Sequence, residues 1–161
     1  MPDDLLTRMA TTGYGPATLV DAGGGEYAAT AGASQVAVAV DREALRFSTS
    51  VDVVWPAGER GSIVVALEEL AHTHRPELVT IDDGPGDRLE VTVWIPADGA
   101  TPAAVAGAVY STARIASLAG ATVADHAALM RLGDLEPVQY VPEPDDDRPP
   151  PPPPPPPQRL Q

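Results

Sequence analysis

The run Gly23-Gly24-Gly25-Glu26-Tyr27-Ala28 is the segment whose spacing comes closest to a recognised chemistry. It matches the G-x-G-x-x-A fingerprint of dinucleotide-binding turns, in which glycines let a pyrophosphate meet a helix N-terminus. Asp41 follows the next candidate strand, where a ribose-binding acid could stand. The spacing argues against that use. Only Ala29 to Gln35 separate the motif from the strand pattern at Val36, and a parallel crossover takes at least about 10 to 12 residues. A glycine-rich hairpin turn fits the same residues. A nucleotide-binding enzyme built on Gly23–Ala28 is kept as an alternative.

Other candidates are weaker. His72 and His74 lie two apart, so a helix would not set them on one face, and His126 stands alone. The spacing therefore specifies no metal site. Asp82-Asp83 precedes Gly84-Pro85 and reads as turn chemistry, while Glu68-Glu69 reads as a solvated helix face. Arg60 and Arg75 bracket that helix but form no anion motif. There is no P-loop and no G-x-S-x-G. Cysteine is absent, which excludes thiolate catalysis, disulfides and Cys-ligated metals. No catalytic residue, cofactor or metal is assigned.

Recognition of another chain fits the residues better. Trp94 shares a strand face with Glu90 and Thr92, opposite Leu89, Val91 and Val93. An indole on a polar strand face is a candidate contact anchor. Leu5, Leu6 and Met9 form an apolar stripe that either packs in the core or meets a partner. Nine consecutive prolines, Pro149 to Pro157, make a polyproline rod flanked by Arg148 and Arg159. Pro149, Pro152 and Pro155, one per turn, are its candidate contact residues. A spacer or an inert tail is the other reading of the rod.

These residues need elements to hold them. A first helix over Leu5, Leu6 and Met9 is predicted, capped by Asp3 or Asp4 and stopped by Gly13, Gly15 and Pro16. Strands are predicted at Thr18–Ala22, Glu26–Ala31 and Gln35–Asp41. The clearest alternation runs from Leu45 to Trp55, with Leu45, Phe47, Thr49, Val51, Val53 and Trp55 on the inner face. A helix over Ser62–His74, a strand at Leu78–Ile81 and a strand at Leu89–Ile95 follow. Thr101-Pro102 starts a last helix, a capping hydroxyl followed by proline at the first helical position. Gly120 is expected to break or kink it, with a second segment to Leu132. Strands clustered between helices predict an α+β fold, an antiparallel sheet with helices packed mainly on one face. The folded module spans 1–136, and 137–161 form a disordered acidic and polyproline tail.

The chain of 161 residues is 43% hydrophobic but carries one Phe, two Trp and four Tyr, so its core rests on Ala, Val and Leu. Its net charge of −13 opposes a phosphate backbone and an anionic membrane. The acidic start lacks the character of a secretory signal. No run approaches the roughly 20 apolar residues of a membrane helix. A cytoplasmic location is the expectation, with no nucleic-acid or membrane partner.

The order of elements resembles the type III secretion chaperone-like fold, including YbjN-like proteins. Val51–Pro56 (V-x-V-V-W-P), Ile63–Leu70 and Leu89–Leu118, with its W-I-P hairpin end, carry the likeness over about two-thirds of the chain. The resemblance implies a small acidic homodimer that binds peptide segments of other proteins without catalysis. The glycine-rich hairpin and the proline tail depart from that pattern. The combined expectation is a non-catalytic, chaperone- or adaptor-like protein-binding module. A structural subunit tethered by its polyproline tail is a further alternative.

Overall fold

The computed structural model describes residues 2–13, 17–56, 60–73, 79–84 and 87–133. The proline rod, with Pro149, Pro152 and Pro155, lies outside the described residues.

Helix α1 (Pro2–Thr12) opens the chain. It begins one residue ahead of the predicted caps, because proline is pre-set for a first helical position. Asp3 and Asp4 therefore sit inside its first turn, where their charges favour the helix dipole. Four strands then form a meander: β1 (Leu19–Gly23), β2 (Glu26–Ala31), β3 (Ser34–Asp41) and β4 (Ala44–Asp52). Gly24 and Gly25 join β1 to β2 with φ of 67° and 83°. Two successive positive φ angles are what a tight right-twisted hairpin demands, and glycine meets them without strain. The triple glycine thus makes a turn, and a strand follows it, not a helix. Arg42 (φ 56°) takes the same left-handed conformation between β3 and β4.

Helix α2 (Arg60–Thr73) carries the chain to the far edge of the sheet. Strands β5 (Val79–Gly84) and β6 (Arg88–Pro96) return as a hairpin, and β6 inserts beside β4. The strand order is β1-β2-β3-β4-β6-β5, with every neighbouring pair antiparallel. Strand β5 continues through Asp82 and Asp83, which the sequence places in a loop, because Gly84 pairs with Arg88. Helix α3 (Pro102–Gly133) closes the fold. Its start matches the prediction, with the Thr101 hydroxyl accepting from Ala104 N–H at 3.2 Å. The expected break at Gly120 is absent, and the helix runs unbroken for 32 residues.

All three helices lie on one face of the sheet. The period-2 pattern puts Val36, Val38, Leu45, Phe47 and Val91 on that face, each with 0% exposure. Leu6 and Met9 from α1, Ile63 and Leu67 from α2, and Val105 and Val109 from α3 close over them. Helix α3 crosses β4 and β6 so closely that a Cβ on Gly120 would stand 3.0 Å from Val51 Cγ1. The absence of a side chain there sets the helix–sheet spacing.

Strand β4 ends at Asp52, short of the predicted Trp55. The chain stays tied to the β5–β6 turn through Val53 N–H donating to Asp87 C=O at 2.9 Å. Trp55 is half-buried against the core, with the Arg60 guanidinium 4.8 Å from its ring centroid.

Polar ties hold α1 to the sheet as well. Thr7 Oγ1 and Tyr27 OH hydrogen-bond at 2.9 Å across twenty residues. Tyr27→Phe is expected to lower stability by about 0.5–1.5 kcal/mol, the net value of one such bond. Urea unfolding followed by circular dichroism reads that difference. An unchanged midpoint would mean the hydroxyl pair contributes nothing.

Candidate functional site

The opposite face of the sheet carries the candidate site. Among the described residues, no helix or strand packs on it. Its side chains follow from strand alternation and register. One row across the sheet is Val20, Ala28, Ala37, Ser48, Thr92 and Thr80. To one side lie Glu26, Ala39, Arg46 and Trp94. To the other side, Ser50 pairs with Glu90 and Glu90 with Asp82. The middle of the face is thus built from small side chains.

Trp94 is the bulkiest group on the face. It is half-buried and lies directly across from Arg46 in the β4–β6 register. Arg46 Nη2 approaches Glu26 Oε1 at 3.6 Å, too far for a hydrogen bond. Arg46 Nε is buried and has no hydrogen-bond partner among the described residues. A guanidinium has five N–H donors, so this one retains unused donor capacity. Ala39 and Thr92 are 8% and 6% exposed although no described element covers them. Both adjoin the long Arg46 and Trp94 side chains in the register. A shallow depression of about 230 Å³ spans the small-residue row and its Ser50–Glu90 side, with Ala28, Gln35, Ala37, Ser48, Ser50 and Glu90 in its lining.

Sequence reasoning found Trp94 by its alternation. It missed Arg46, whose place beside Trp94 depends on β6 pairing with β4 across the intervening α2 and β5. Leu6 and Met9 are 0% and 1% exposed, so their side chains serve the chain's own core instead of a partner. Leu5 is half-buried beside a cleft of about 420 Å³ between α1 and the start of α3, with Arg8, Thr12 and Pro102.

Chemistry-bearing groups do not converge elsewhere among the described residues. No three of His, Asp and Glu stand together as metal ligands there. His72 is exposed, and His126 Nδ1 lies 2.9 Å from the Thr122 carbonyl of its own helix. The Arg88–Asp52 ion pair, at 2.8 Å, is solvent-exposed on both sides and contributes little to stability. Among the described residues, no helix is long and apolar enough to cross a membrane.

The fold has a counterpart among solved structures. The crystal structure of YbjN from E. coli, a protein proposed as a transcription regulator, superposes with a TM-score of 0.51 at 12% sequence identity. The match covers 79% of this chain and 92% of that one. At that identity the likeness shows a shared YbjN-like fold. No family model and no curated protein matches the sequence.

Proposed function

We propose that the chain is a non-catalytic protein-binding module, adaptor- or chaperone-like, whose recognition surface is the helix-free sheet face around Trp94. One observation carries the reading: a tryptophan and an under-bonded arginine sit side by side on a sheet face against which no described element packs. Tryptophan and arginine are the residues most enriched at energetic centres of protein interfaces. Small neighbours leave room for a partner's side chains to approach the backbone. The YbjN-like fold and the net charge of −13 are compatible with such a role.

Affinity capture with the full chain tests the reading. Trp94→Ala should weaken retention of the bound protein at least about tenfold, the scale of a lost interface anchor. Its circular dichroism spectrum should match that of the unsubstituted chain. Equal retention by both forms would remove Trp94 from recognition.

A further inference from the structure

We propose that the tail of this same chain, residues 146–152, lies along β6 on the helix-free face and covers Trp94 until a partner displaces it. This rests on the reading of the face as a docking surface and names a resident occupant that competes for it.

Strand β6 presents Arg88, Glu90, Thr92 and Trp94 along that face, every second residue. Two residues of a strand advance about 6.6–6.8 Å. Two residues of polyproline II advance about 6.2 Å. A tail parallel to β6, with Arg148 opposite Glu90, sets Asp146 opposite Arg88, Pro150 opposite Thr92 and Pro152 opposite Trp94. Anion then meets cation, cation meets anion, and proline meets the indole. Over the six residues from Arg88 to Trp94 the two repeats drift apart by only about 1–2 Å.

The face lacks what the tail supplies. Glu90 and Asp82 are exposed and stand directly opposite each other in the β5–β6 register, where like charges repel. Neither has an ion-pair partner among the described residues. Arg148 brings the cation. Arg88 gives its Nε to Asp52 and has further N–H donors for Asp146. At the other end, proline carries a C=O but no N–H, so a polyproline rod offers acceptors only. Arg46, beside Trp94, holds the complement: its Nε has no partner among the described residues, and its approach to Glu26 is a loose 3.6 Å. Such a rod loses little entropy on docking against an aromatic ring.

The chain is long enough. Helix α3 starts after Pro96 and runs back over the sheet, so that Gly120 lies over Val51, the partner of Leu89. The thirteen residues from there to Gly133 rise about 20 Å, which carries α3 past the Arg88 end of β6. A further thirteen residues lead to Asp146 and extend to about 43–47 Å. That length passes round the Arg88 end of the sheet and enters the face with Asp146 and Arg148 leading. The opposite direction, with Arg159 at Glu90, would put Gln161 and no acid opposite Arg88.

Paramagnetic broadening in the full chain tests the contact. The chain has no cysteine, so Gln158→Cys accepts a single nitroxide, about 19 Å beyond Pro152 along the rod. The chain's two tryptophans give two indole N–H signals. Trp94 should lose most of its intensity. Trp55, which follows the segment tied to the β5–β6 turn at the far end of the sheet, should keep its own. Arg148→Glu sets a third carboxylate beside Asp82 and Glu90 and should bring the Trp94 signal back. Glu90→Arg should do the same. Combining the two substitutions pairs the charges again and should restore the loss, which a folding defect would not do. Arg159→Glu should leave the loss unchanged. When isotope-labelled chains without nitroxide are mixed with nitroxide chains without isotope, the Trp94 signal should persist, because the contact lies within one chain. An undiminished Trp94 signal in the nitroxide chain, no return with Arg148→Glu, or a loss in the mixture overturns the chain's own tail as occupant. If that happens while Trp94→Ala still releases a captured protein, the docking surface stands and only its occupant is wrong.

Discussion

Phe47→Ala is expected to remove about 3–5 kcal/mol of stability, the range for emptying a buried phenylalanine site. Phe47 lies on β4 at 0% exposure, between Val38 of β3 and Val93 of β6 in the register. It is the only phenylalanine in the chain. Around it the core is mostly aliphatic, rich in Val and Ala, whose side chains are too short to reach into the vacated volume. Collapse would require the α3 helix to move toward the sheet, where Val51 Cγ1 already stands 3.0 Å from the position of a Cβ at Gly120. Domains of this kind hold only about 5–15 kcal/mol in total, so the variant should unfold at a far lower urea concentration with an unchanged slope. A loss below about 1 kcal/mol would show that the layer between helix and sheet is loosely packed.

The second large effect is expected at Gly120. Glycine inside a helix normally costs about 1 kcal/mol relative to a good helix former. Gly120→Leu should therefore stabilise α3 if only helix propensity mattered. Instead the added side chain starts from a Cβ that stands 3.0 Å from Val51 Cγ1. Overpacking of that kind costs about 1–3 kcal/mol and outweighs the propensity gain. The expected result is a lower thermal midpoint for Gly120→Leu and partial recovery when Val51→Ala is added. Independent effects in that double-mutant cycle would separate the two residues. A raised midpoint for Gly120→Leu alone would show that α3 can lift from the sheet at little cost.

Gly120 also shows where sequence reasoning reaches its limit. Read locally, a glycine inside a helical run marks a break or a kink. The packing of α3 along β4 and β6 overrides that preference, because the close crossing requires the missing side chain. Patterns confined to one element were legible. The alternation through β4, the hairpin at Gly24-Gly25 and the Thr101-Pro102 start all follow from neighbours in sequence. The one-sided helical layer was legible too, since the strand periodicity leaves only one apolar face. Strand order was not. Inserting β6 between β4 and β5 joins residues about forty positions apart, and no local spacing encodes it. The same gap explains the site. Alternation turned Trp94 and Glu90 to the same face, but only the register sets Arg46 beside Trp94.

Helix α3 outlasts the core that supports it. Val123 is its last fully buried side chain among the described residues, whereas Leu129 is 64% exposed. The ten residues after Val123, up to Gly133, rise about 15 Å along the axis. Anything joined to that end, such as a fluorophore, a fused reporter or a bead linker, begins at a distance from the sheet and on its helical side. Cargo carried at the end of α3 itself would start on the side that the helices already cover, away from the surface around Trp94.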